Sequence, residues 1–185
     1  MALTISGTSN GKLGNLSLSA STGDILDSAN TTFFGADTYY LNTDHTVSGT
    51  TITAWTRATT AKYGTIGTGM SVSSGHWTFP STGIYLIQGT LGIQATSTAN
   101  DNCAVLIQTT GDNFSTTEAD RPYTYHYDQS FWSAMCALQF IFDCTDTAND
   151  KIRFQSSSLS SGNLITGQSN NLFRSVVSFI RLGDT

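Results

Sequence analysis

The chain has 185 residues, of which 38% are hydrophobic and only 11% charged, with 17 Gly, 2 Pro and a formal net charge of −5. That length suits one domain with a real core. Two settings are excluded: eight basic residues without a cluster cannot neutralise a nucleic-acid backbone, and no apolar run approaches the roughly 20 residues of a membrane-inserted helix. The polar remainder is mostly Ser, Thr, Asn and Gly, residues that leave helices for strands and turns, so the fold class expected is all-β.

Residues 1–30 are Gly- and Ser-rich with scattered Leu, and Gly7, Gly11, Gly14 and Gly23 punctuate them with turns. Leu16-Ser17-Leu18-Ser19 alternates as a short edge strand does. Two readings stand: a first hairpin of the domain, or an attachment arm that docks on a neighbouring subunit or a larger assembly. The division expected is an N-terminal arm over 1–30 and a β-sandwich domain over 31–185. The opening MALTISGTSNGK lacks a basic end followed by an apolar core, so no leader is expected.

Strands are clearer from residue 31. Thr51-Ile52-Thr53-Ala54-Trp55 alternates, which places Ile52 on one face and Trp55 on the other unless a bulge intervenes. Gly64, Gly67 and Gly69 mark a loop. Ile84 to Gln94 is the strongest strand, with Tyr85, Ile87, Leu91 and Ile93 on one face, and Gly89 and Gly92 marking a bend or a close backbone approach. Cys103 to Gln108 follows, then Ser133 to Phe142, Lys151 to Gln155 and Arg174 to Leu182. Several of these runs are apolar on both faces, as in a sheet covered by its partner sheet on one side and by a subunit on the other. Some eight short strands with Gly-rich turns read as a single jelly-roll sandwich.

Cys103, Cys136 and Cys144 are odd in number, match no zinc spacing, and sit in or beside apolar runs. All three are expected to be reduced core residues, which implies synthesis in a reducing cytoplasm. His45, His76 and His126 belong to no metal motif, and no Gly-x-Ser-x-Gly nucleophile turn occurs. No enzymatic activity, cofactor or metal is expected. Asp143, Asp146 and Asp150 flank a turn and carry the oxygens calcium prefers, but they read as solvated acids. Asn100-Asp101-Asn102 and Asp112-Asn113 read as loops. The segment from Arg121 to Trp132 is the best functional candidate. Tyr123, Tyr125, His126, Tyr127, Phe131 and Trp132 offer stiff, amphipathic contact area, for packing at a subunit boundary ahead of stacking on a ligand such as a sugar.

Gly75-His76-Trp77-Thr78-Phe79-Pro80-Ser81-Thr82-Gly83-Ile84-Tyr85 resembles a signature of the complement globular head and its tumour-necrosis-factor-like relatives. There an aromatic residue and a Pro-containing turn lead through Gly-Ile-Tyr into a central strand. Phe140-Ile141-Phe142 followed by Asn149-Asp150-Lys151-Ile152-Arg153-Phe154 is similar to the family's pair of strands, with Asn-Asp in place of Gly-Asp. Ser178-Phe179-Ile180-Arg181-Leu182-Gly183 is similar to its last strand. The resemblance covers residues 63–183. It implies a jelly roll carried by Phe79, Pro80, Gly83, Ile84, Tyr85 and Phe179, and a homotrimer with the last strand along its axis. The family's collagen stalk has no counterpart.

The opening segment, MALTISGTSNGKLGNLSLSASTGDIL, resembles the start of short structural proteins from tailed phages of marine bacteria. That resemblance implies a trimeric module on the virion surface, a capsid decoration or the head of a tail fibre. It would be made in the host cytoplasm and joined to other virion proteins through the arm. The alternative is a free adhesin or lectin-like module for a cell-surface carbohydrate or protein.

Overall fold

A strand that alternates apolar and polar residues must cover its apolar face, and here the strands do so in two facing sheets. The computed structural model describes residues 12–13, 16–17, 35–59, 63–95, 100–116, 122–129, 133–170 and 172–185. Its elements are β1 (Lys12–Leu13), β2 (Leu16–Ser17), β3 (Gly35–Leu41), β4 (Trp55–Arg57), β5 (Ser71–Ser73), β6 (His76–Thr78), β7 (Gly83–Ala95), β8 (Asn100–Thr110), β9 (Tyr123–Gln129), β10 (Ser133–Cys144), β11 (Lys151–Ser157), β12 (Asn163–Ile165) and β13 (Val176–Gly183). The described residues contain no helix. β1 and β2 pair with each other; otherwise the arm expected over 1–30, and its boundary, lie outside the described residues.

One sheet runs β10-β7-β13-β3-β4, with β12 added alongside β7, and the other runs β5-β6-β11-β8-β9. All pairings are antiparallel, and four of them nest. β8 pairs β9, β7 pairs β10, β6 pairs β11 and β3 pairs β13. This is one long hairpin folded over into two sheets, the topology of a jelly roll. β10 and β11 are joined by a turn, as expected, and because they lie in different sheets that turn carries the chain across.

β7 shows why the strands face as they do. Tyr85, Ile87, Leu91 and Ile93 are buried, while Gln88 and Thr90 between them are exposed. Gly92 is a point of close approach: a Cβ there would lie 2.3 Å from Thr166 Oγ1, and its N–H meets the Arg174 carbonyl and the Ser175 hydroxyl. Gly89 has only ordinary contacts at 3.4–3.5 Å. Asn100 to Asn102, read as a loop, open β8 instead.

The expected strand across Thr51–Trp55 does not form. Thr51 makes an isolated bridge to Gln155, the Trp55 N–H turns back onto the Thr53 carbonyl at 2.9 Å, and the strand starts only at Trp55. That tight turn adds the half-step that alternation lacks, so Ile52 (0% exposed) and Trp55 (7%) both enter the core. The Trp55 indole also donates to the Ile52 carbonyl at 2.8 Å.

Trp77 on β6 is fully buried between the sheets. Its ring meets Tyr39 (4.6 Å, edge-on), Phe179 (4.7 Å), Trp55 (5.8 Å) and Phe154 (6.2 Å, edge-on). The three thiols are free and buried, as expected. Burial, and then neighbouring Cys136, pushes the Cys103 thiol up to about 12, and burial pushes Cys144 to about 11. Such thiols are poor nucleophiles.

Among the described residues the Trp77 Nε1 has no hydrogen-bond partner, so its contribution is packing. Trp77→Ala should cost about 3–5 kcal/mol in denaturant unfolding. Trp77→Phe, which keeps a ring and removes an unpaired donor, should cost well under half of that. Equal losses for the two variants would show that the indole nitrogen matters after all.

Candidate functional site

Phe79, Pro80, Gly83, Ile84, Tyr85 and Phe179 come together around the turn from β6 into β7. Phe79 (2% exposed) stacks on Phe142 at 5.0 Å and tilts against Tyr85 at 4.7 Å. The Tyr85 hydroxyl donates to the Ser81 carbonyl. Gly83 has φ 141°, and a Cβ on it would fall 2.5 Å from the Gly183 carbonyl oxygen, so only glycine fits where the chain enters β7 beside the end of β13. Pro80 is exposed and Ile84 half-buried.

The tyrosine segment forms β9, the edge strand of the five-stranded sheet. Tyr123 lies opposite Leu106 and is 52% exposed. Tyr125, His126 and Tyr127 lie opposite Ala104, Cys103 and Asn102. Their side chains, and Phe131 and Trp132 entirely, lie outside the described residues.

The acids after β10 serve the turn. The Asp150 carboxylate, only 8% exposed, accepts from the Thr145 and Asp146 amides and the Thr145 hydroxyl. Asp146 accepts from the Ala148 amide and the Asn149 side chain, which hold its carboxyl below the usual range. Asp150 is therefore a buried tie and not the solvated acid the sequence implies. Among the described residues, no three His, Cys, Asp or Glu side chains converge as metal ligands would.

Two clusters were missed. At one end of the sandwich, Asp37 on β3 (3% exposed) takes both Nε and Nη2 of Arg57 at 3.1 Å. Beside it a cavity of about 80 Å³ is lined by Asp37, Met70, Tyr85, Phe179 and Arg181, among others. Arg181 (5% exposed) donates to the Thr82 carbonyl and to Asp184. Asp37 and Arg181 occupy inward positions next to Phe179, where alternation predicts apolar side chains.

The second cluster is on the outward face of the five-stranded sheet. Arg153 on β11 lies between His76 on β6 and Gln108 on β8 in register. Its Nε donates to Gln108 Oε1, its Nη1 sits 3.4 Å from His76 Nε2, and its guanidinium lies 4.2 Å over the Phe114 ring. Phe114 is held there by a wound loop. The Thr110 hydroxyl accepts from the amides of Asp112 and Phe114 and donates to the Asp112 carboxylate, which also takes the Thr116 amide and hydroxyl. Those hydrogen bonds hold the Asp112 carboxyl at about 2. Asn113 (φ 56°) and Phe114 (φ 64°) are both left-handed, an uncommon state for an aromatic residue. Lys151-Ile152-Arg153-Phe154-Gln155 does announce in sequence that Arg153 faces out; the loop that covers it has no such signal.

No known protein family matches the sequence, and neither does any curated protein. Solved structures do match. The Eiger TNF of S. frugiperda aligns with a TM-score of 0.61 at 15% identity, over 83% of this chain and 95% of that one. Murine APRIL at pH 5.0 aligns with a TM-score of 0.56 at 12% identity, over 80% and 99%. The fold is a tumour-necrosis-factor-like jelly-roll sandwich. At these identities the likeness extends to the fold and no further.

Two histidines set an acid limit on stability. Burial lowers the pKa of His45, whose Nε2 lies 2.9 Å from the Ser156 hydroxyl, and burial with nearby Arg153 lowers that of His76. Their folded values lie below the ordinary 6.5, so the unfolded chain binds more protons there. Their stabilisation is present above pH 6.5 and is lost as pH falls through and below it. The depressed Asp112 and Asp146 add a second loss, below the ordinary 3.8. Tm should therefore drop between pH 7 and pH 5, and His45→Gln with His76→Gln should flatten that limb alone. A wild-type Tm unchanged from pH 7 to pH 5 would contradict it.

Proposed function

We propose that the chain is a non-enzymatic virion structural protein of a tailed phage, a trimeric surface module that decorates the capsid or heads a tail fibre. The observation that carries the self-assembly is the outward face of the six-stranded sheet. In register, Ile141, Leu86, Ile180 and Ala36 form one apolar row across four strands, and Ile66 bridges to Ala36 at its end. Ile141 is 63% exposed, Ile66 57% and Met135 60%. Soluble single chains rarely leave such a row to water, and a closed three-fold assembly covers it. The next row, Gln139, Gln88, Ser178 and Thr38, is polar. It would give such an interface a register.

The phage assignment is supported by the opening segment, and by an arm too poor in apolar residues to repay the ordering cost of about 1–2 kcal/mol per residue alone. The arm joins the module to other virion proteins. The second reading, a free adhesin for a cell-surface carbohydrate or protein, is favoured by the exposure of Tyr123 on β9.

Light scattering should give three chains per particle, and Ile141→Lys should give folded single chains at micromolar concentration. A wild-type chain that is already single would sink the trimer.

Deleting residues 1–28 should leave Tm nearly unchanged and abolish incorporation into particles, read by electron microscopy of virions. Incorporation of the shortened chain would move docking to the body.

A further inference from the structure

Arg153 is a cation without an acid. Burial alone moves its pKa, downward, and among the described residues no carboxylate lies within 4 Å of it. By contrast Arg57 has Asp37 and Arg181 has Asp184. In a chain of net charge −5, leaving a half-buried guanidinium unpaired costs stability unless something else meets it.

The surroundings hold the group still. Gln108 Oε1 takes the Nε–H, the His76 ring lies beside Nη1, and the Phe114 ring lies under the guanidinium. Among the described residues no hydrogen bond engages Nη2, and Nη1 with Nη2 forms the edge that accepts a planar two-oxygen anion. The loop spends two left-handed residues to put Phe114 there, and strain of that kind gathers at binding sites. Across the same face, one row along, stand Gln155 on β11 and the exposed Tyr123 on β9.

We propose that Arg153, stacked on Phe114 and aligned by Gln108 and His76, binds the carboxylate of an acidic saccharide on the outward face of the five-stranded sheet. A single fixed cation in an acidic protein suits a monoanion and repels polyphosphates. The exposed tyrosine offers a sugar ring a flat apolar face on the same side of the sheet, while the Gln155 amide, whose Nε2 donates to the Gly49 carbonyl, frames the space between. The site is complete within one chain, so it stands or falls separately from the trimer. If the trimer forms through the other sheet, three copies face outward, and a polymeric ligand gains avidity.

The test is titration of the full chain with oligosaccharides of galacturonic and glucuronic acid, their methyl esters, and inorganic phosphate, followed through the Arg153 Nε–H NMR signal. The acids should shift that signal saturably and the esters should not. Arg153→Gln should weaken binding on the order of tenfold or more with Tm little changed, and Arg153→Lys, which keeps charge but not the fork, should also weaken it. Phe114→Leu should weaken it less. Esters binding as well as acids, no saturable shift with any acid, or Arg153→Gln binding like wild type would overturn the proposal. So would phosphate binding as tightly as the saccharides. Binding that appears only after Glu118→Gln and Asp120→Asn would also overturn it, since the chain's own acids would then be the occupant.

Discussion

The contact on which the two sheets depend is the aromatic cluster at Trp77. Trp77 and Phe154 come from the five-stranded sheet, and Tyr39, Trp55 and Phe179 from the six-stranded one. Edge-on and tilted rings of this kind interlock as well as exclude water, which fixes the sheets in translation along each other. Among the described residues the Trp77 N–H has no hydrogen-bond partner, so the cluster holds by packing. Residues around the cluster inherit its geometry: the Tyr39 hydroxyl reaches the Met70 carbonyl and so pins the loop before β5.

Fixing the inward face also fixes what each outward face displays, because the strand period is two. On the six-stranded sheet this exposes an apolar row beside a polar one. On the other sheet it exposes Arg153 and Tyr123. The same chain therefore presents an apolar row on one outward face and a cation with an exposed tyrosine on the other, and a one-residue slip in β11 would turn Arg153 into the core and Phe154 out of it.

Much of this was legible in the sequence. The Tyr85, Ile87, Leu91, Ile93 alternation located β7 to within a residue at each end, and Phe79 to Tyr85 gave both the turn and the fold type. Other parts were not. Thr51 to Trp55 misled because a tight turn imitates a strand when only the side-chain pattern is read. Asp37 and Arg181 sit at inward positions that apolar alternation assigns to hydrocarbons; partners that satisfy them there, Arg57, Thr65 and the Thr82 carbonyl, are 20 or more positions away in the chain. The Phe114 loop is organised by the Thr110 hydroxyl and two left-handed residues, which composition does not disclose. Of the tyrosine segment, the register places residues 123–129 at a sheet edge, a position that aromatic content does not disclose.

The nesting of β3 against β13 has a mechanical side. Gly35 lies opposite Arg181, so the chain leading into β3 and the chain leaving β13 depart from the same end of the sandwich. A tension applied between those two points would load one rung of the ladder at a time, starting at Gly35–Arg181, and peel the strands apart like a zip. A tension applied through the N-terminal side alone, and balanced by a grip on the body, has to drag β3 lengthwise out from between β13 and β4 and load all its rungs together. The molecule should therefore resist a pull transmitted by its leading segment far better than one shared between its two ends.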